Sequence, residues 1–205
     1  MLVLLFVACT SDAPGPFPAV TLWNAFPFES GRTWTYTFSD DPSRELVATL
    51  AEGGPSGDDP RVYTVVYEER CAPPCPDPVG LQWSSGPDRG IAIHGSAVGA
   101  ASVDYDPPVR LAAPSAEAGT SWATVAGTGV YLTTFLGLES CPTGSPSFDA
   151  CARLLVDHTG PDLRSLPIED LYAAPAHGIV ALRFVGELGL WRLSDVDCGT
   201  CDGEW

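Results

Sequence analysis

Lysine is absent from this chain of 205 residues, whose ten basic side chains are all arginines. Without lysine, the chain cannot form a phosphate-binding P-loop or a lysine Schiff base. Basic groups of any kind are outnumbered, because 26 acidic residues leave a formal net charge of −16. Proteins bind the phosphates of nucleic acids through basic side chains. The charge balance therefore argues against nucleic-acid binding.

Long apolar runs and helical patterns are also scarce. The run Met1–Val7 is seven residues long, whereas a transmembrane helix needs about 20 residues. No window carries a sustained helical stripe with capping residues at its ends. With 45% hydrophobic and 18% charged residues, the chain still has enough apolar content to bury a core. We expect one globular domain that buries about 70% of the surface that its unfolded form exposes.

The apolar residues that follow Trp23 alternate with a period of two. In Thr33–Phe38, three aromatic residues alternate with three threonines, which is typical of a half-buried strand. The β-branched and aromatic residues of Arg61–Tyr67 predict another strand. Further strands are predicted at residues 45–51, 79–84, 90–94, 107–112, 121–126, 129–136, 151–157, 168–173, 178–185 and 189–194.

Clusters of glycine and proline separate these segments and predict turns. The predicted fold is therefore all-β. We expect a single curved antiparallel sheet, or a half-barrel or sandwich, of about ten or more short strands with no major helix. Strands that are neighbours in sequence are expected to be neighbours in the sheet.

The first twenty residues are organised like an export signal followed by a tether. The apolar run leads into Phe6-Val7-Ala8-Cys9, which resembles the lipobox of bacterial lipoprotein signals. The resemblance implies cleavage before Cys9 and lipid on its sulfur. We expect residues 1–8 to be a signal remnant, 9–20 a lipidated cysteine and proline-rich tether, and 21–205 a single β domain with an acidic, cysteine-containing tail. The alternative is a buried first strand of the domain.

Six cysteines remain if Cys9 carries lipid, and an even number in an exported chain predicts disulfides. The close pairs are Cys71 with Cys75, Cys141 with Cys151, and Cys198 with Cys201. One alternative is zinc held by the first and third pairs, which an oxidising compartment disfavours. Another is a redox site at Cys198-Gly-Thr-Cys201, although the acidic residues before it disfavour the thiolate that redox chemistry needs.

Catalytic motifs are missing from the sequence. No Gly-x-Ser-x-Gly nucleophile elbow occurs. His94, His158 and His177 could serve acid–base chemistry, but none has the spacing of a helical metal site. His158 is the first candidate, yet its strand position turns it to the face opposite Asp157. We predict no catalytic residue, no cofactor and no enzyme activity.

One acidic cluster near the end of the chain resembles an oxygen-rich calcium site. It contains Asp195, Asp197, Asp202 and Glu204, and carboxylate oxygens are typical Ca²⁺ ligands. The spacing does not match an EF-hand loop. An acidic, solvated tail is the simpler interpretation, so no metal site is predicted.

Three segments carry motifs of one known family. Phe26–Tyr36 contains a Phe-Pro, a glycine and a Trp-x-Tyr in succession, Ser147–Leu154 a Ser-Phe-x-x-Cys, and Leu171–Val180 a Tyr-Ala-Ala-Pro turn. In this order they resemble a family of uncharacterised bacterial secreted lipoproteins. The resemblance covers about residues 26–193. It implies a curved antiparallel sheet in the envelope and brings no catalytic residues.

These observations predict an exported lipoprotein, anchored through Cys9 in the bacterial cell envelope, with the outer membrane as the expected location. Its expected role is that of a non-enzymatic binding or structural module. Its partners would be the membrane and either an envelope protein or a hydrophobic ligand. The alternatives are a carrier that shelters a hydrophobic ligand on the curved sheet and, less favoured, a hydrolase that uses His158. The sequence leaves the oligomeric state open.

Overall fold

The computed structural model describes residues 20–22, 32–51, 62–127, 129–142, 148, 150–159, 166–174 and 177–197. These residues contain strands and turns but no helix, so the all-β prediction is confirmed. None of their segments is a helix long and apolar enough to cross a membrane. The strands are β1 Val20–Thr21, β2 Thr33–Phe38, β3 Glu45–Leu50, β4 Val62–Arg70, β5 Val79–Gly86, β6 Gly90–Val98, β7 Ala101–Ala112, β8 Ser115–Ala116, β9 Ser121–Ala126, β10 Gly129–Glu139, β11 Cys151–Thr159, β12 Ile168–Ala174, β13 Gly178–Phe184 and β14 Trp191–Asp197.

Twelve of the strands form one antiparallel sheet, in the order β7-β6-β5-β4-β3-β2-β14-β13-β12-β11-β10-β9. The order follows the chain, apart from the pairing of β14 with β2, which joins the last strand to the first strand of the sheet. The two edge strands, β7 and β9, also meet, because the backbone N–H of Arg110 donates to Thr124 Oγ1 at 3.2 Å. The result is one nearly closed, barrel-like antiparallel sheet.

Alternating strand directions place the turns at two opposite ends of this sheet. The small pairing of β1 with β8 joins Val20 to Ala116 and Thr21 to Ser115. It lies at the end where β7 finishes and β9 starts, which we call the β1 end. We call the other end, which carries the turn between β9 and β10, the distal end.

Large side chains fill the inner face of the sheet. In β2 the aromatic residues Trp34, Tyr36 and Phe38 are buried, as their alternation with threonines predicts. The Trp34 indole donates to the His177 carbonyl at 2.9 Å, and the Tyr36 hydroxyl donates to the Ile179 carbonyl at 2.9 Å. These bonds join β2 to the β13 region across β14, and they satisfy polar atoms that burial would otherwise leave unpaired.

Several strands are longer than predicted, most of all β7, which extends over Ala101–Ala112 instead of residues 107–112. Pro107 and Pro108 lie within it, and proline cannot donate to a ladder. They are tolerated because β7 is an edge strand and its pairing with β6 shifts register between Ile93 and Gly95. The two-residue strands β1 and β8 lack a periodic pattern and were not predicted.

Two of the predicted disulfides are confirmed. One joins Cys71 to Cys75 in the β4–β5 connection, and the other joins Cys141 to Cys151, the first residue of β11. The disulfide leaves Cys71 and Cys75 without the thiolates that the zinc alternative requires. The predicted pair of Cys198 with Cys201 and the predicted lipid site Cys9 lie outside the described residues.

Candidate functional site

Ser84 and His94 form a serine–histidine pair on neighbouring strands. Ser84 Oγ in β5 lies 2.8 Å from His94 Nε2 in β6. This distance is short enough for a histidine to accept a proton from a serine nucleophile. The pair follows from the predicted hairpin of residues 79–84 and 90–94, which places the two side chains side by side. Motif spacing along the chain does not predict it, because the two residues meet only through the pairing of β5 with β6.

The surroundings of Ser84 do not suit a nucleophile. Its side chain is 3% exposed, and it lies inside a strand that pairs with β4 on one side and β6 on the other. Both ladders use the backbone N–H groups that an oxyanion hole would need. The pair is therefore a cross-strand hydrogen bond that satisfies a buried hydroxyl.

The predicted candidate His158 occupies a different position. It lies on β11 directly opposite Tyr131 of β10, and the two rings stack at a centroid distance of 6.3 Å. Tyr131 is buried and in turn meets Tyr105 edge to face at 5.6 Å. Asp157 is exposed and turns to the outer face, as the strand alternation predicts. The fold therefore separates His158 from its neighbouring carboxylate.

The third histidine, His177, lies in the turn before β13 and contacts Phe148 at a centroid distance of 4.8 Å. The three histidines thus sit on different parts of the sheet, and the structure does not combine them into one site. Among the described residues, no group of three or more His, Cys, Asp and Glu side chains could hold a metal ion.

The acidic cluster considered for calcium is only partly described. Asp195 and Asp197 lie on β14, opposite Thr35 and Thr33 of β2, and both are exposed. They are therefore strand residues on the outer face and not parts of a loop. Asp202 and Glu204 lie outside the described residues.

One group of charged residues lies on the outer face of β11, β12 and β13. Asp170, whose side chain is 2% exposed, accepts two hydrogen bonds from Arg153, at 3.1 Å and 3.0 Å. Arg183 reaches the same carboxylate at 3.5 Å. The Arg153 guanidinium also lies 5.1 Å above the Tyr172 ring. Hydrogen bonding to Asp170 raises the pKa of Arg153, so this guanidinium stays charged.

Two partly exposed acids extend this group. Glu139 pairs with Arg153 at 3.3 Å, and Glu169 pairs with Arg183 at 3.2 Å. Two arginines thus contact three carboxylates, one of which is the buried Asp170 and two of which belong to glutamates. The arrangement connects β11, β12 and β13, and each of its carboxylates contacts an arginine.

A second group of charged residues lies at the distal end. Arg44 donates to both oxygens of Glu69, at 2.6 Å and 2.9 Å, and its guanidinium lies 4.4 Å from the Phe38 ring centre and 5.0 Å from that of Trp191. Glu187 accepts the Trp191 indole N–H at 2.7 Å. Burial raises the pKa of Glu187, and this hydrogen bond opposes the rise.

Neither group was predicted from the sequence, because arginine and carboxylate residues at strand positions usually indicate a solvated face. The residues that could have revealed the first group are Glu169 and Asp170, two adjacent acids in the otherwise apolar and aromatic predicted strand 168–173. In both groups, arginines contact acidic side chains: Arg153 and Arg183 contact Asp170, and Arg44 contacts Glu69.

Comparison with known protein families, with curated proteins and with solved structures gave no match for this chain.

Proposed function

We propose that this protein is a lipoprotein of the bacterial cell envelope, anchored through Cys9, that acts as a non-enzymatic binding or structural module. The filled inner face of the sheet is the observation that supports this role best. Trp83 and Phe135 are 0% exposed and Trp191 is 1% exposed. A rigid sheet with such a packed interior offers its outer surface and its turns for interactions.

The polar groups that could have supported catalysis have structural partners instead. The hydroxyl of Ser84 is buried against His94, and His158 stacks on Tyr131. The same packing disfavours a carrier, since a sheltered ligand would need the space that the buried aromatic side chains occupy. Native mass spectra that retained a bound lipid would instead support the carrier alternative.

The position of β1 is compatible with an anchor. Ten residues, Thr10–Ala19, connect Cys9 to this strand, and ten residues span at most about 36 Å. A lipid on Cys9 would therefore hold β1 within this distance of the membrane, with the tether joining the sheet at the β1 end.

Intact mass of the protein extracted from membranes tests the anchor. We expect the chain to begin at Cys9 and to carry the added mass of lipid. Treatment with a reductant should raise the mass by two hydrogen atoms for each disulfide. The Cys9→Ala variant is the control and should remain unlipidated and leave the membrane fraction. Membrane-extracted protein with an unmodified Cys9 would contradict the proposal.

A further inference from the structure

The outer face of the β9–β10 hairpin carries a group of exposed apolar side chains, Ala123, Val125, Val130 and Leu132, which we call the hairpin patch. Val125 is 62% exposed, and Val130 and Leu132 are each 41% exposed. The register places Val130 directly opposite Val125, and Leu132 directly opposite Ala123. Two adjacent cross-strand pairs thus form one continuous apolar surface.

The orientation of the hairpin patch follows from its neighbours in the same strands. Thr124 and Ala126 of β9 and Tyr131 and Thr133 of β10 alternate with the patch residues, and all four are buried. The patch side chains therefore point away from the core. The inner face of these strands is already packed, so the patch side chains do not contribute to the core. Contiguous exposed apolar surfaces are typical of interaction sites.

Acidic residues flank the hairpin patch. On β11, the exposed Asp157 lies directly opposite Leu132. On the other side, β7 meets β9 where the backbone N–H of Arg110, itself exposed, contacts Thr124. The exposed Asp106 and Asp104 lie further along β7, toward the distal end. The local excess of acid has the same sign as the whole chain, whose formal net charge is −16.

The negative charge around the hairpin patch favours some binding partners over others. A second copy of the chain would bring like charges against the aspartates, and an anionic lipid surface would do the same. A partner with basic groups beside apolar ones would gain from both features. β10 already pairs with β9 and β11, and the other edge of β9 meets β7. We therefore expect the partner to lie on the face of the hairpin.

We propose that the hairpin patch binds an extended, basic segment of another protein, in which apolar side chains alternate with lysine or arginine. In such a segment, successive side chains point to opposite sides, about 6.6 Å apart on each side. This matches the spacing between Val125 and Ala123, or between Val130 and Leu132, along their strands. The basic side chains leave the opposite side of the segment, and their long, flexible stems allow the charged ends to fold over its edges toward the flanking aspartates.

The location of the hairpin patch on the sheet fits the proposed function in the cell envelope. This inference rests on that function for the compartment in which the partner is found. Val125 and Val130 lie next to the β9–β10 turn, at the distal end of the sheet. The chain segment that follows Cys9 joins the fold at the β1 end. The tether and the hairpin patch therefore lie at opposite ends of the sheet.

Isothermal titration calorimetry of the full chain with capped octapeptides tests the proposal. The probe alternates lysine with valine, and its controls alternate glutamate with valine and lysine with serine. We expect measurable binding for the lysine–valine peptide only. The Val125→Ser and Val130→Ser double variant should bind it at least tenfold more weakly, and Asp157→Asn about threefold more weakly.

Leu138→Ser is the matched control, because Leu138 is 53% exposed on β10 but lies outside the hairpin patch. It should bind the peptide as the wild-type chain does, and circular dichroism should confirm that all variants are folded. Equal affinity in the double variant would overturn the proposal, as would binding of the lysine–serine peptide with the same strength.

Two other outcomes would assign the hairpin patch to a different occupant and also overturn the proposal. One is concentration-dependent dimerisation that the double variant abolishes. The other is binding to neutral phosphatidylcholine vesicles that the double variant abolishes. The Cys9→Ala chain should bind the peptide like the wild type, so that failure of the anchor and failure of the docking surface can be told apart.

Discussion

The buried carboxylate of Asp170 provides a quantitative test of how the arginines stabilise this fold. In the Asp170→Asn variant, one carboxylate oxygen becomes an amide nitrogen, which is a donor. Arg153 donates to both oxygens in the native protein, so one of its N–H groups would face another donor. Arg183, at 3.5 Å, would lose the same negative charge.

The burial of Asp170, Arg153 and Arg183 determines how much unfolding free energy the variant loses. Breaking a buried ion pair costs about 3–5 kcal/mol when the remaining charge has no partner. The side chains of Arg153 and Arg183 are 26% and 30% exposed, so water would partly solvate them. We therefore expect the variant to lose about 2–4 kcal/mol of unfolding free energy. For a chain of this size, this corresponds to a fall in Tm of about 5–15 °C.

The neighbouring residue supplies a matched control. Glu169 also pairs with Arg183, but its side chain is 37% exposed, and exposed ion pairs contribute only about 0–1 kcal/mol. Urea unfolding monitored by tryptophan fluorescence measures both variants. Salt at about 1 M should remove the effect of Glu169→Gln and leave most of the effect of Asp170→Asn. Equal losses in the two variants, within about 0.5 kcal/mol, would refute this reasoning.

Three further predictions concern other parts of the fold. Burial raises the pKa of Glu187 in the folded protein above its value in the unfolded chain. The folded protein therefore binds this proton more tightly. The resulting stabilisation is present below the pKa of the unfolded chain and is lost as pH rises through the pKa of the folded protein. Glu187→Gln should therefore gain stability relative to the wild type between pH 4 and pH 7 in urea titrations; a constant difference would contradict this. Phe135→Ala should cost about 3–5 kcal/mol in thermal unfolding, because Phe135 is 0% exposed, whereas the exposed Leu138→Ala should cost less than about 0.5 kcal/mol. Alkylation and mass spectrometry should find that mild reductant opens Cys71–Cys75, which is exposed, before Cys141–Cys151, whose second cysteine is fully buried; the reverse order would contradict the burial argument.

Much of the architecture could be predicted because strand patterns are local. Alternating burial in Thr33–Phe38 and in Ser121–Ala126 requires only that one face of each strand meet a core. The predicted ranges of both strands agree with the structure. Local turns also place Cys71 beside Cys75 and Cys141 beside Cys151, and therefore two of the disulfides could be predicted from spacing.

The candidate sites were harder to predict because they depend on pairing between strands. Ser84 and His94 meet through the hairpin register, and Val125 meets Val130 in the same way. Whether an exposed valine belongs to a patch depends on which residue lies opposite it, and the register decides that. A one-residue shift of register would turn every one of these side chains to the other face.

The sequence by itself determined that this is an acidic, lysine-free, all-β chain with a lipobox-like start and cysteines in close pairs. These properties depend on composition, on period-two alternation and on short spacings. Only the tertiary structure decided that β14 closes onto β2, that Asp170 lies between two arginines and that the hairpin patch remains uncovered. Each of these involves residues far apart in the chain or on different strands, and their meeting is fixed by the packing of the whole sheet.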